Sequence, residues 1–294
     1  MDKKIKKINI VTHDQSFHAD DVFTVATLSI LNKGKIKIQR TRSKKLIEKA
    51  DFVLDVGGIY DGKTRFDHHQ EEGAGIRANG TPFATFGLIW KKFGTKVCGS
   101  QKIATCVEKR LVQFIDTQDN GVDSFRPTKD FSPYTISDLI ASLNPTWNEK
   151  LDYDKSFNTA VKFAEKIILR EIAVASAKLE AEGFIKKAYE KSQDKKILVL
   201  NKNYAWKDSI SDYPEVLFVV YPKGSLWRAN AVRKNNLSFD SKKPFPKSWA
   251  GKTDETLSKI SGVPDAKFCH RKLFLAVADS KEGAIKLAMK AKEQ

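Results

Sequence analysis

The sequence predicts an α/β protein: a mostly parallel sheet flanked by helices, then a long connecting helix, then a second, smaller α/β domain. Three observations lead there. Strand-like and helix-like segments alternate through the first half, the pattern of parallel strands joined by helical crossovers. From Asp154 to about Lys191 apolar residues recur at three- and four-residue spacing with no Pro in the run and Gly183 as its only Gly. Beyond it, short β-rich runs return and the chain closes on a helix.

In chain order, Ile8–Val11 is a β-branched run and Asp20–Leu31 an apolar helical segment. Lys35–Gln39 alternates with period two, as a strand does, and Ser43–Lys49 reads as a short helix with a Ser cap. Phe52–Leu54 is a buried-type strand running into Asp55-Val56-Gly57-Gly58. Thr81-Pro82 opens a helix expected over Phe83–Phe93, and Gln101–Phe114 is another. Phe157, Val161, Ala164, Ile168, Ile172 and Ala175 form the apolar stripe of the long helix. Ile197–Leu200, Val216–Tyr221, Trp227–Val232 and Leu273–Ala278 read as strands, and Ser280 caps a last helix to Lys292, with Glu282 in its first turn. The expected domains are 1–153, a connecting helix 154–194, and 195–294.

Composition narrows the function classes. The 294 residues carry 52 Lys+Arg and 36 Asp+Glu, a formal net charge of +16. With 41% hydrophobic and 30% charged residues the chain is globular, not disordered. No apolar run reaches the roughly 18 residues that span a bilayer. The N-terminus lacks the apolar stretch of a secretion signal, so a cytoplasmic protein without membrane contact is expected. Cys98, Cys106 and Cys269 have no CxxC spacing, which fits a reducing compartment and argues against a disulfide scaffold or zinc ribbon. The basic excess is densest in residues 201–294, with 18 basic against 10 acidic residues. Such a surface attracts polyanions, although basic surfaces also serve solubility alone.

Four of the five histidines lie in two short clusters. His13, His18, Asp20 and Asp21 follow the first strand, and Asp67-His68-His69 comes later; Asp55 ends a strand between them. Asp116 and Asp119 are expected just after a helix. In an open α/β sheet, ligands bind at the carboxyl ends of the strands, where His13 and Asp55 fall. Carboxylates packed together raise one another's pKa unless a cation neutralises them. Mixed imidazole and carboxylate donors suit Mn²⁺, Zn²⁺ or Fe²⁺ better than Ca²⁺, and six or more candidates suggest two ions. A single His–Asp pair at a strand end is commonly structural; two clusters plus Asp55, in this order, are harder to read that way.

Asp67-His68-His69 resembles the signature of the DHH phosphoesterase superfamily. Thr12-His13, Phe17-His18-Ala19-Asp20, Asp55-Val56-Gly57-Gly58, Phe66-Asp67-His68-His69-Gln70 and Asp119-Asn120-Gly121 resemble one branch, the melanocyte proliferating gene protein family, described as a 3′–5′ RNA exonuclease. The likeness continues through Leu143-Asn144-Pro145-Thr146-Trp147-Asn148, Trp206-Lys207, Ser261-Gly262-Val263-Pro264, Phe268-Cys269-His270 and Glu282-Gly283-Ala284. It implies a DHH-like catalytic domain in 1–153 that holds two divalent ions, and a substrate-binding domain in 195–294. Metal ligands would be His13, His18, Asp20, Asp55 and His68, with Asp55 bridging, and the last from Asp119 or Asp116, Asp119 preferred. His69 would act as general acid or phosphate contact, and Asp67 would orient a histidine. The wider superfamily has a carboxylate where His18 stands, and the loop from His13 is one residue longer here. Mn²⁺ is the expected metal, with Zn²⁺ or Fe²⁺ as alternatives.

Arg77, in a Gly-rich segment that lacks the ending of a P-loop, and Lys207, Arg228, Arg233 and His270 are candidate substrate contacts. Trp206, Trp227 and Trp249 are candidates for stacking bases, although aromatics in a small domain are commonly core. The expected function is a metal-dependent phosphodiesterase, a 3′–5′ exonuclease on RNA or short oligonucleotides, working through a dinuclear site and metal-bound hydroxide. Single-stranded RNA or an oligonucleotide is the expected partner, with a homodimer left open. Two alternatives stand beside this reading: a small-molecule phosphoesterase acting on pyrophosphate, a cyclic dinucleotide or a nucleotide monophosphate, and a non-catalytic nucleic-acid-binding protein.

Overall fold

The computed structural model describes residues 7–123, 130, 132–235 and 238–294. Its first sheet is built by β1 (Ile8–Thr12), α1 (Ala19–Leu31), β2 (Ile36–Arg40), α2 (Lys44–Glu48), β3 (Phe52–Leu54) and β4 (Arg65–Phe66). The order is β2-β1-β3-β4 and every pairing is parallel. Alternate side chains of a strand face opposite sides. Ile10 and Leu54 join the large core with α1, while Val11 and Val53 pack against Ile47 of α2. Helices therefore cover both faces, as expected of a parallel sheet.

The chain continues through α3 (Thr85–Cys98), α4 (Gln101–Val107), a π-helical turn (Glu108–Val112), α5 (Gln113–Asp119), α6 (Ile136–Ala141) and the 39-residue α7 (Tyr153–Lys191). Three details differ from the sequence expectation. β4 is two residues long, too short for a period-two pattern to announce. The helix expected from Phe83 starts at Thr85, because Ile76 and Pro82 form an isolated antiparallel bridge just before it. The helix expected to stop at Phe114 runs on to Asp119, so Asp116 and Asp119 sit inside its end rather than after it. The π-helical turn adds one residue and rotates all that follows by roughly 100°, a device often found beside functional sites.

The remaining elements are β5 (Ile197–Val199), α8 (Trp206–Ser209), β6 (Phe218–Lys223), β7 (Leu226–Ala231), α9 (Asp254–Ser261), β8 (Ala266–Cys269), β9 (Leu275–Ala278) and α10 (Lys281–Glu293). They form a five-stranded sheet, β5-β6-β7-β9-β8, in which only β5–β6 is parallel. Ala181 and Ile185 of α7 pack on Leu198, Val219 and Tyr221, and α10 packs on the other face through Leu287 and Ala288. The Ser280 hydroxyl accepts from Gly283 N at 2.9 Å and caps α10 as expected.

The chain divides into two compact units, Met1–Ala175 and Ser176–Gln294, with the boundary inside α7. Among the described residues no helix is long and apolar enough to cross a membrane.

Candidate metal centre

The strand order fixes where the site lies. From β1 the chain steps to β2 on one side and to β3 on the other. This reversal opens a crevice at the carboxyl ends of β1 and β3. His13 follows β1 and Asp55 follows β3, and His13 Nε2 lies 3.5 Å from Asp55 Oδ2. A cavity of about 450 Å³ is lined there by His13, His18, Arg42, Asp55, Val56, Gly57, Gly58, Asp67, His69 and Asp119.

Asp55 is the hinge of the cluster. Its φ of 56° is left-handed, a conformation that costs a non-glycine residue energy and occurs where surrounding contacts impose it. Its two oxygens face different neighbours: Oδ1 is 3.5 Å from both His68 Nδ1 and His69 Nδ1, and Oδ2 faces His13. One carboxylate therefore addresses both histidine clusters. Two donor sets have ligand atoms within 4.8 Å of one another: Asp55, Asp67, His68 and His69; and Asp20, His68 and Asp119. His68 Nε2 lies 3.1 Å from Asp119 Oδ2. His18 is exposed, lines the cavity and stands 5.8 Å from His13 between ring centroids.

The electrostatics also fit a cation. Burial, and then the charges of Asp119, Asp55 and Asp116, push the Asp20 carboxyl well above its ordinary range. Burial, with Asp21 and Asp119, raises Asp55 to about 6 against the opposing pull of His13 and His68. Burial lowers the His13 pKa, but hydrogen bonding and charge from Asp21, the Asp14 carbonyl and the Asp55 charge outweigh it, to about 9. Asp21 Oδ2 is buried and faces His13 Nε2 at 3.2 Å. Oxygen and imidazole nitrogen facing each other there, among carboxylates that resist ionising, make an environment that a divalent ion would neutralise.

Asp67 behaves differently. Despite burial its carboxyl lies below the ordinary range, because Gly58 N donates to it at 2.6 Å and His69 approaches through both its amide and its ring. Asp67 Oδ1 is 2.8 Å from His69 Nδ1, and the His69 side chain is 63% exposed, so Asp67 orients an imidazole that meets solvent.

Three contributors, Thr85, Arg40 and Arg42, were not singled out in the sequence, and Asp21, named there with the first cluster, was given no role. Asp21 receives the His18 amide at 2.9 Å and holds the first turn of α1. Thr85 Oγ1 lies 3.1 Å from His68 Nδ1 and donates to Asp55 Oδ1 at 3.3 Å, while the Thr85 and Phe86 amides, at the start of α3, donate to Asp20. Buried Arg40 donates to the carbonyl of Gln15, whose own φ is 63°. Arg42 lines the cavity; only the loop after β2 carries it there, and no motif marks it. The adjacency of Asp20 and Asp21 is the one local signal for Asp21.

Two expectations are corrected. Arg77 is not an open phosphate contact: its side chain is buried, pairing with Asp116 at 2.6 Å and Glu108 at 2.9 Å over the Phe83 ring. Asp116 is likewise not at the donor sets. Arg77 and the Gly87 amide, at 3.0 Å, occupy its carboxylate, and burial raises it to about 7 against the Arg77 charge. Asp119, one turn further on, reaches His68 instead. At Gly87 an added Cβ would overlap the Asp116 carboxylate and crowd Arg77. Gly87→Ala is therefore expected to cost about 3 kcal/mol by breaking a buried ion pair, read as a lower urea midpoint. An unchanged midpoint would show that the pair gives way freely.

Lys207, Arg228, Arg233 and His270 lie in the second unit. Lys207 is exposed on α8; Arg228 is half-buried on β7; Arg233 is exposed, 4.4 Å above the Phe239 ring; His270 lies 4.3 Å from the Phe274 ring and accepts from Lys272 N. Trp206 and Trp249 are buried core residues rather than platforms, and Trp227 is half-buried.

The family model MYG1_exonuc, described as "Uncharacterised protein family (UPF0160)", matches residues 9–291. The MYG1 protein of Chlamydia pneumoniae is 31% identical over 93% of this chain and 93% of its own length. MYG1 protein C694.04c of Schizosaccharomyces pombe is 29% identical over 97% of each chain. A protein named MYG1 exonuclease in Homo sapiens is 29% identical over 95% of this chain and 84% of that protein.

Proposed function

This chain belongs to the MYG1_exonuc family (UPF0160), and from that premise we propose that it is a metal-dependent phosphodiesterase, a 3′–5′ exonuclease on RNA or short oligonucleotides. The observation that carries this reading is that His13, Asp55 and Asp119 line one cavity at the switch point of the sheet, with His68 buried within 3.5 Å of Asp55 and 3.1 Å of Asp119 and Asp20 beside it. Asp20, His68 and Asp119 would hold one ion, and His13 and His18 another, with Asp55 between them. Bound divalent ions, Mn²⁺ or alternatively Zn²⁺ or Fe²⁺, supply Lewis acidity and lower the pKa of an attacking water.

The chain's own groups do the rest. Asp67, kept ionised by the Gly58 and His69 amides, holds the His69 ring through Nδ1. Nε2 of that exposed ring then carries the proton for the leaving oxygen. Thr85 and the α3 amides orient Asp55 and Asp20 so that neither has to rearrange during the reaction. Arg42 meets the phosphate at the cavity. Its pair with Asp14, at 3.2 Å, joins two exposed side chains and exchanges readily for a phosphate oxygen. Arg42→Ala is expected to raise KM about tenfold with a smaller change in kcat, measured on a short oligoribonucleotide. An unchanged KM would remove Arg42 from substrate binding.

The cavity volume favours a second reading, a small-molecule phosphoesterase, since about 450 Å³ accommodates one compact ligand. Incubation with Mn²⁺ and 5′-labelled single-stranded RNA, beside pyrophosphate and cyclic dinucleotides, separates the two. A ladder descending from the 3′ end is expected; hydrolysis of the small substrates alone would overturn the exonuclease reading.

A further inference from the structure

The five tryptophans divide sharply. Trp90, Trp206 and Trp249 are 3%, 5% and 1% exposed and Trp227 is half-buried, whereas Trp147 is 92% exposed. An indole can bury 150–250 Å², so leaving one in water forgoes one of the largest stabilising contributions a side chain offers. The turn that carries it does not need it. Thr146 Oγ1 donates to Glu149 Oε2 at 2.8 Å, the Thr146 amide donates to the same oxygen at 2.7 Å, and the Glu149 amide returns to Thr146 O at 3.0 Å. The turn is thus closed by Thr146 and Glu149, and Trp147 stands outside its hydrogen bonding.

The position of the turn is equally specific. The Asn144 side chain reads both polar groups of one backbone residue: its Oδ1 accepts from Phe17 N at 3.0 Å and its Nδ2 donates to Phe17 O at 2.9 Å. Phe17 immediately precedes His18 on the cavity lining, and its own ring is buried in the core beside Phe157. Trp147 stands three positions after Asn144, a Cα span of at most about 11 Å. A rigid turn bearing a fully exposed indole is therefore bracketed onto the loop that carries His13 and His18.

We propose that Trp147 is a stacking platform for a base of the substrate, so that the site selects base-bearing nucleotides and oligonucleotides over pyrophosphate and other base-free phosphates. The proposal rests on the phosphodiesterase reading and narrows its substrate class. Every base has a π face, so such a platform is tolerant of sequence, and Arg42, on the lining of the cavity beside the loop that Asn144 holds, supplies the charge for the adjoining phosphate. Trp147 acts on substrate hold, not on the chemistry.

The test is equilibrium binding in EDTA, read by fluorescence anisotropy with a labelled short oligoadenylate and an abasic oligomer of the same length. Trp147→Ala is expected to bind oligoadenylate about tenfold more weakly than wild type, and Trp147→Phe within about threefold. All three proteins bind the abasic oligomer alike. Equal affinity of wild type and Trp147→Ala for oligoadenylate overturns the proposal. So does an equal loss on the abasic oligomer, which would mark a structural role, and so does absence of wild-type binding. Light scattering is run alongside: a dimer that Trp147→Ala converts to monomer makes this face a self-association contact and also overturns the proposal. Trp147-dependent binding without hydrolysis in Mn²⁺ leaves the platform standing and removes the proposed activity. Hydrolysis without Trp147 dependence does the reverse.

Discussion

Asp55→Asn is expected to abolish metal-dependent phosphodiester hydrolysis, lowering turnover by roughly a thousandfold, because several kcal/mol of transition-state stabilisation depend on held ions. The argument is geometric. Asp55 is the residue whose two oxygens face both histidine clusters, at 3.5 Å to His13 and 3.5 Å to His68, from a left-handed backbone that aims it into the cavity. Asparagine keeps the shape and removes the charge. His68→Ala should match it, since His68 faces Asp55 through Nδ1 at 3.5 Å and Asp119 through Nε2 at 3.1 Å. The fold gives a signed control. Metal-free Asp55→Asn should melt no lower than wild type, because a carboxylate raised by burial and by Asp21 and Asp119 is no longer forced to ionise. It should also lose the rise in Tm that Mn²⁺ gives the wild type. Wild-type turnover of Asp55→Asn in saturating Mn²⁺ would sink the dinuclear assignment.

The second large effect is in stability. With metal chelated, stability should fall steadily as pH rises from about 4 to about 9. Asp55 and Asp116, raised from 3.8 to about 6 and about 7, stabilise the fold fully below the ordinary carboxylate range and lose that contribution as pH passes their folded values. His13, raised from 6.5 to about 9, acts in the same direction at higher pH: its contribution is full below 6.5 and lost through 9. In each case the folded state holds a proton that the unfolded chain has released. Divalent ions compete with those protons, so Mn²⁺ should stabilise little at pH 5 and strongly at pH 8. At a hundredfold excess over Kd the gain is about 2.7 kcal/mol. Thermal melts across pH, with EDTA and with Mn²⁺, read both slopes. A chelated protein that gains stability toward pH 8 would contradict the crowded-carboxylate account.

Much of this molecule is legible from local pattern. The alternation of β1, α1, β2, α2 and β3 follows from side-chain period, and a parallel sheet follows from that alternation. The donor residues announce themselves by chemical type and by standing where strands end. β4, at two residues, and α6 and α9, short helices of six and eight residues, carry too little periodicity to be read.

Other features are set only by the path of the chain. Arg77 and Asp116 look like open functional groups in a row of letters; they become a buried ion pair because 39 positions of chain return α5 to the Gly-rich segment, and only Gly at 87 leaves room. A π-helical turn decides that Asp119 rather than Asp116 faces His68, a difference of phase that no spacing rule carries. Asn144 reaches Phe17 across 127 positions, and that contact separates exposed Trp147 from the buried tryptophans that composition counts alike. The sequence by itself determined the donor types, their strand-end positions and the layered α/β plan, because these depend on neighbours along the chain. Which carboxylate faces His68, which arginine meets solvent and which indole is left uncovered were decided by the tertiary structure, because burial and charge pairing act through space, between residues that the sequence holds far apart.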